Sequence, residues 1–300
     1  MTDGFAVDWL AARDPYDVAA LDRVGLDLLR PWLAEQPSYR PLRVVDLGCG
    51  TGSGLRRTLT WLDARPVVAY AVDRDAALLA ALVAGDLGST ARGASDSADT
   101  DARVTVVPVL ADVLGPLDGA GGPADGTVDL LVSHAVADLF PLDRFASRIR
   151  ALLRPGGRAQ IALTYDGETR FAPDDAADLE RRTIAAYHRH MDRARAQDPT
   201  YGGSTAGRRL VAALEAAGLE IVRAAPSTWD VRAGDGPGGV AVLTGLIDYV
   251  IRAVAELGDP PADEVARWER SRRAALDAGA LRASVRHLDV IAGRGMAGVS

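Results

Sequence analysis

An aspartate followed by alternating glycines is the feature of this sequence most suited to chemistry. The stretch Arg43–Gly54 reads RVVDLGCGTGSG, with Asp46 two residues ahead of the first of four glycines. An apolar run that stops in such glycines predicts a buried strand, a tight turn and a helix beginning near Leu55. Glycine lets the main chain adopt positive φ and lets a ligand approach it with no Cβ in the way.

The spacing of these glycines distinguishes between two kinds of ligand. A dinucleotide site requires G-x-G-x-x-G, so that the pyrophosphate rests on the helix N-terminus. In the two possible registers Ser53 and Leu55 stand where the third glycine would be, which argues against an NAD-dependent oxidoreductase. A carboxylate at Asp46 repels a pyrophosphate, but it can accept hydrogen bonds from an ammonium group.

The string VVDLGCGTG resembles motif I of the class I S-adenosylmethionine (SAM) dependent methyltransferases, whose cofactor has a zwitterionic amino-acid end and no phosphate. The resemblance covers roughly residues 43–291 and includes Asp73, Asp112 and the LRPGG turn. It implies transfer of a methyl group from SAM to O, N or C of a small-molecule acceptor, with S-adenosylhomocysteine as the product. A SAM-binding regulatory protein without catalysis is the alternative.

Strand-like and helix-like segments alternate along the chain, which predicts a doubly wound α/β fold. The resemblance implies a seven-stranded, mostly parallel sheet in the order 3-2-1-4-5-7-6, with strand seven antiparallel. Pro108 agrees with an edge position for strand three. After the strand that leads into Asp46, the predicted strands are Val67–Val72, Val104–Leu110, Val128–Ser133, 158–165 (with Tyr165–Gly167 ending it), Leu219–Ala225 and Ala283–Ile291.

Helical material outside the sheet pattern is expected at three places. Residues 1–40 are predicted to form an N-terminal helical cap that breaks at Asp14-Pro15, ahead of a methyltransferase domain at 41–300. Inserted lid helices are expected at about 173–200 and 237–279, and the second insertion is expected to build a substrate wall or a homodimer face. Residues 85–103 are rich in Gly, Ser, Asp, Thr and Ala, which predicts a mobile connection.

Residues at the ends of the first four strands are the candidates for holding SAM. Asp73 ends strand two, where a carboxylate can accept two hydrogen bonds from the ribose diol. Asp75 is a second candidate for that role, and a helix N-cap is the alternative role for Asp73. By resemblance, Asp112 takes the adenine amino group and the Val113 N–H meets a ring nitrogen. The complete predicted cofactor set is Asp46, Gly48, Cys49, Gly50, Gly52, Asp73, Arg74, Asp112, Val113 and Ser133.

Polar residues after strands four and five are the candidates for chemistry, because ligands of such sheets bind at the carboxyl ends of strands near the switch point. A general base is needed when the acceptor is a hydroxyl or a protonated amine, and histidine, with a pKa of about 6.5, is favoured for it. The predicted catalytic residues are His134, His190, Asp138 and Tyr165. The predicted substrate-binding residues are Arg13, Tyr16, Asp166 and Trp229.

Composition and the motifs that the sequence lacks argue against several classes of substrate and partner. The formal net charge of −7 argues against nucleic acid as a partner. The segment SHAVADLF has neither the Asn/Asp-Pro-Pro-aromatic signature of nucleic-acid amino-methyltransferases nor the paired glutamates of protein arginine methyltransferases. Cys49 is the single cysteine, so the sequence predicts no disulfides. With neither a signal peptide nor a membrane-length apolar run, a cytoplasmic protein without a metal site or a membrane partner is expected.

Overall fold

A computed structural model describes residues 7–62, 65–85, 87, 104–173 and 177–296. Their strands form one seven-stranded sheet in the order β3-β2-β1-β4-β5-β7-β6. The predicted connection at 85–103 lies almost wholly outside the described residues. The strands are β1 (Leu42–Leu47), β2 (Val67–Asp73), β3 (Val104–Leu110), β4 (Val128–His134), β5 (Leu153–Ala172), β6 (Leu219–Arg232) and β7 (Arg282–Arg294).

The pairing of the strands confirms the predicted sheet. β1 runs parallel to β2 and β4, β2 to β3, and β4 to β5, whereas β7 lies antiparallel between β5 and β6. β3 is an edge strand that contains Pro108, as expected. The order reverses between β1 and β4, and that reversal opens a crevice at their carboxyl ends.

Helices cover both faces of the sheet. The alternating side chains of β1 show this directly, because Val44 packs with the helices at 23–34, 53–61 and 76–84, while Val45 packs with those at 142–152 and 206–216. None of the described helices has the length and apolar character needed to cross a bilayer. The helices are α1 (Val7–Ala20), α2 (Arg23–Ala34), α3 (Ser53–Trp61), α4 (Ala76–Ala84), α5 (Leu142–Leu152), α6 (Ala177–Met191), α7 (Arg193–Gln197), α8 (Ala206–Ala216), α9 (Pro237–Ala255) and α10 (Ala262–Asp277).

The last three strands are longer than predicted. The predicted end of strand five at Tyr165–Gly167 is wrong, because Gly167 (φ +85°) lies in a bulge and β5 continues to Ala172. The predicted end of strand six at Ala225 is also wrong. β6 pairs with β7 as far as Arg232 and tolerates Pro226 because it is the edge strand.

The predicted helix break at Asp14-Pro15 is wrong as well. α1 continues through Pro15, and the break follows Ala20. Proline removes one helical hydrogen bond, and the packing of α1 on α9 offsets that loss. Trp9 lies edge-on to Tyr249 with ring centroids 5.4 Å apart, and a Cβ on Gly245 would come within 2.2 Å of the Trp9 Nε1 atom. The glycine therefore lets the two helices approach closely.

Candidate functional site

A cleft of about 1120 Å³ lies at the carboxyl ends of β1, β2 and β4. Its floor is the turn between β1 and α3, and its roof comes from α1, α6 and α9. Leu10, Arg13 and Asp17 of α1 are spaced about one turn apart and share one helix face. Single-ligand pockets usually measure roughly 300–1,000 Å³, so the cleft has room for a cofactor and a second small molecule.

The floor of the cleft depends on glycine. Gly48, Gly50 and Gly52 have φ values of +74°, +54° and +84°, which L side chains rarely adopt. A Cβ on Gly48 would also lie 2.9 Å from the Val136 side chain. The N–H groups of Gly48 and Cys49 donate to the Val72 carbonyl at 2.9 and 3.0 Å, which fixes the turn to β2. Gly48, Cys49 and Gly50 line the cleft, whereas Gly52 caps α3.

Asp46 is a buried carboxylate at the bottom of the cleft. It is 2 % exposed, and its Oδ2 atom has no hydrogen-bond partner within the described chain. Burial raises the pKa of Asp46 to about 7; the Arg57 charge and the Leu55 N–H lower it, and the Asp73 charge raises it. A buried acceptor without a donor is costly, so this oxygen is suited to a ligand that brings a donor.

Asp73 links the glycine turn to the end of β2. Its Oδ2 accepts the Gly50 N–H at 2.9 Å, and its Oδ1 accepts the Asp75 N–H at 3.0 Å. A carboxylate offers about four lone-pair sites, so two stay available on the cleft side. The alternative in which Asp73 caps α4 is wrong, because the cap is Asp75, which accepts the N–H groups of Ala77 and Leu78.

The other predicted cofactor residues divide into two groups. Arg74, Asp112 and Val113 line the same cleft. Asp112 Oδ1 accepts the Leu114 N–H at 2.8 Å, which orders the turn after β3. Ser133 does not line the cleft: it is fully buried, and its hydroxyl donates to the Leu47 carbonyl at 2.8 Å. The Ser133 side chain therefore links β4 to β1.

His134 lines the cleft in a form that does not suit a base. Its Nδ1 lies 3.3 Å from Nη2 of Arg57. A guanidinium can only donate, so Nδ1 accepts and the ring proton resides on Nε2. Burial, with the charges of Arg57 and Arg13, lowers the pKa of His134 to about 3 against a smaller opposing effect of Gln160. The imidazole is therefore neutral at physiological pH, and its basic lone pair faces Arg57.

The remaining predicted catalytic residues are scattered. His190 reaches the rim of the cleft, where its Nε2 lies 2.9 Å from Oε2 of Glu256. Tyr165 is not among the cleft residues; its hydroxyl lies 2.6 Å from Nε2 of His188. Asp138 follows β4 in a short turn outside the cleft lining, and desolvation raises its pKa.

Of the predicted substrate-binding residues, the structure brings Arg13 to the cleft. Its guanidinium lies 5.3 and 5.7 Å from the ring centroids of Trp9 and Trp229, so Trp229 stands behind it. The Tyr16 hydroxyl donates to Asp235 at 3.1 Å, away from the cleft. Asp166 is also elsewhere, bound to Arg208 at 2.8 Å and to Arg286 at 3.4 Å, and these contacts lower its pKa.

Sequence reasoning missed Arg57, which meets Asp17 beneath the roof of the cleft. Arg57 forms an ion pair with Asp14, and its Nη2 lies 3.6 Å from Oδ2 of Asp17. Arg57 follows Gly54 by three residues, which places both on the cleft side of α3. This spacing could have identified Arg57 from the sequence. Other missed lining residues are Leu10, Tyr249, Arg252 and Glu256.

Comparisons with known proteins bear on the fold. No family model and no curated protein matches the chain. Among solved structures, it is similar to a proposed methyltransferase from Bacillus halodurans (14 % identity, 91 % of this chain and 99 % of that one, TM-score 0.50). It is also similar to the geranyl diphosphate C-methyltransferase of Streptomyces coelicolor (13 % identity, 90 % of this chain and 78 % of that one, TM-score 0.42). A further similar structure is that of the cyclase SpnF (15 % identity, 92 % of this chain and 81 % of that one, TM-score 0.43). Together with the strand order, the likeness to the Bacillus structure shows that the chain has the α/β fold of the class I SAM-dependent methyltransferases.

Proposed function

We propose that the protein binds SAM in this cleft and transfers its methyl group to a small-molecule acceptor. The observation that carries the proposal is Asp46, whose buried Oδ2 finds no donor among the described residues and lies beside a turn that glycine keeps free of side chains. A charged amino group supplies the missing donor, and the absence of a Cβ at Gly48 and Gly50 lets the rest of the ligand approach the backbone.

The residues along the cleft fit the whole of SAM. Asp46 would hold the ammonium of its amino-acid end, and Asp73 has lone pairs left for the ribose diol. Asp112 and the Val113 backbone line the cleft where the adenine would lie. When bound, SAM supplies an electrophilic methyl group. The protein then has to hold the acceptor in line with that methyl group, and such orientation can lower the activation free energy by about 7–11 kcal/mol.

A small acceptor suits this cleft better than a macromolecule does. Helices α1, α6 and α9 all contribute side chains to its roof, so an acceptor has to fit beneath them. Leu139 and Phe140 add apolar surface beyond the end of β4. The net charge of −7 also disfavours a polyanion at the entrance.

A SAM-binding regulatory protein without catalysis is the second candidate. The observation that favours it is the state of the predicted bases. The lone pair of His134 faces Arg57, while Tyr165 and Asp138 do not line the cleft. A protein that only senses SAM has no need of a base in the cleft.

Transfer of a labelled methyl group separates the two candidates. The purified protein is incubated with methyl-labelled SAM and the small-molecule fraction of a cell lysate, and the label is followed after protein is removed. We expect label in a new small molecule, with Asp46→Ala as the inactive control. Binding of S-adenosylhomocysteine without any transfer would favour the regulatory protein, and absence of both would contradict the proposal.

A further inference from the structure

We propose that Asp17 binds the methyl acceptor and removes its proton, so that the acceptor is a small molecule methylated on a hydroxyl or an amine. This inference rests on the proposed methyl transfer from SAM, and it names the class of substrate that the cleft takes. Asp17 lies on α1, in the N-terminal segment that precedes the sheet.

The two oxygens of Asp17 have different surroundings. The residue is 1 % exposed and lines the cleft. Its Oδ2 lies 3.3 Å from Nε of Arg13 and 3.6 Å from Nη2 of Arg57. Its Oδ1 has no hydrogen-bond partner in the part of the chain that the structure describes. One oxygen is therefore held by two guanidinium groups, and the other is left for a donor in the cleft.

The two arginines that hold Asp17 are themselves fixed. The Arg13 guanidinium packs against the edge-to-face pair of indoles of Trp9 and Trp229, 5.3 and 5.7 Å from their ring centroids. Arg57 is anchored by Asp14 and by Nδ1 of His134. These contacts hold the Asp17 carboxylate in one orientation toward the cleft. A catalytic group needs such a fixed orientation relative to its reactant.

The other carboxylates of the cleft are already used. Among the described lining residues, Asp17 and Asp46 are the two carboxylates with a buried oxygen lacking a partner, and Asp46 is assigned to the cofactor. Asp73, Asp75 and Asp112 accept backbone N–H groups, and Glu256 binds His190 at the rim. Asp17 is thus left for the acceptor.

The charges around Asp17 suit it to receive a proton. Burial raises the pKa of Asp17 above the usual value for a carboxyl, the Arg13 and Arg57 charges lower it, and the Asp14 charge raises it. The nearby Trp229 indole N–H also lowers it, although its geometry falls short of a hydrogen bond. The net direction is upward, and a general base works best when its pKa lies closer to the working pH. His134, which also contacts Arg57, stays neutral in this range.

The transfer balances with this assignment. The acceptor's lone pair forms the bond to the methyl carbon as the carbon–sulfur bond breaks, and that electron pair remains on sulfur. The proton of an acceptor hydroxyl passes to Oδ1 of Asp17 as this bond forms, whereas an ammonium gives its proton to the same oxygen beforehand, which frees the nitrogen lone pair. Asp17 later releases the proton to water. A thioether has no such proton, so acceptors of that kind do not fit the site.

The test uses Asp17→Asn, which keeps the shape of the side chain but cannot take the proton. The acceptor found by label transfer is assayed from pH 5.5 to 9. We expect the variant to lose about 10²- to 10⁴-fold in kcat and the rise of kcat with pH, with less than about tenfold change in affinity for S-adenosylhomocysteine. Asp8→Asn is the matched control: it removes an exposed carboxylate of the same helix and is expected to keep the wild-type rate and pH profile.

Three results would overturn the role of Asp17 and leave methyl transfer standing. These are an Asp17→Asn variant with the wild-type rate and pH profile, a product labelled on carbon, and a product formed from a thioether. NMR of the ¹³C-methyl product distinguishes the bonds. If Asp17→Asn fails to fold, Asp17→Glu replaces it, and loss of the pH-dependent rise in that variant counts against the proposal. A wild-type protein that neither binds nor uses SAM contradicts the proposed function itself.

Discussion

The floor and the roof of the cleft are built in different ways. The floor comes from short segments at strand ends, with Asp46, Gly48 and Gly50 in one turn and Asp73 at the end of the neighbouring strand. The roof joins side chains from α1, α6 and α9, which are far apart in the sequence. A local backbone requirement therefore specifies the floor, while long-range packing specifies the roof. We expect the floor to govern cofactor affinity and the roof to govern the acceptor and the rate.

The largest effect on the floor is expected from Gly48→Ala. The new Cβ would force an unfavourable φ and lie 2.9 Å from Val136, so the turn has to move. Strain and overpacking of this kind lead us to expect on the order of a 100-fold loss of S-adenosylhomocysteine affinity, measured by calorimetry. Gly126→Ala is the matched control, because φ is +71° and no atom lies within 4 Å of its Cβ. Equal losses in both variants would contradict a specific role for the turn.

Asp46→Asn is expected to have an intermediate effect, with a distinct dependence on pH. The cofactor's ammonium needs the ionised carboxylate, so wild-type affinity rises as pH increases through about 7, the pKa of Asp46. It falls again only at higher pH, where the ammonium group of the ligand loses its proton. Asp46→Asn is expected to bind about 10- to 100-fold more weakly at pH 7.5 and to lose the rise near pH 7. Titrations of both proteins at several pH values measure this, and an unchanged rise in the variant would exclude Asp46 as its source.

The smallest effect on cofactor affinity is expected from Gly245→Ala in the roof. Its Cβ would meet the Trp9 indole at 2.2 Å, which pushes α1 away from α9. We expect a loss of stability of about 1–3 kcal/mol and a reduced rate of transfer, with cofactor affinity nearly unchanged. Gly238→Ala in the same helix is the control, because its nearest neighbour is 3.8 Å away. Denaturant unfolding measures the free energy of unfolding of both variants. A large loss of cofactor affinity in Gly245→Ala would contradict the separate roles of floor and roof.

The sequence was sufficient to predict most of the floor. Asp46, Gly48, Gly50, Asp73 and Asp112 line the cleft as predicted, because a strand that ends in glycines fixes its own geometry. Ser133 is the exception, and its position in β4 explains why. Neighbouring side chains of a strand point to opposite faces, so Ser133 and the adjacent His134 could not both face the cleft.

The roof could not be predicted in the same way. The role of Asp17 depends on Arg57, which is 40 positions away and meets it after α1 has packed over α3. Tyr165 and Trp229 were expected at strand ends, but β5 and β6 continue past them because both stay paired with β7 as far as Arg282. Nothing in the local pattern of either segment reports the length of its partner strand.

Calorimetric titration of the wild-type protein with S-adenosylhomocysteine, NAD⁺ and ATP tests the central claim most directly. A floor shaped around Asp46 and the glycine turn predicts saturable one-to-one binding of S-adenosylhomocysteine and no heat of binding from either phosphate compound. Saturable binding of NAD⁺ or ATP with none of S-adenosylhomocysteine would contradict the account.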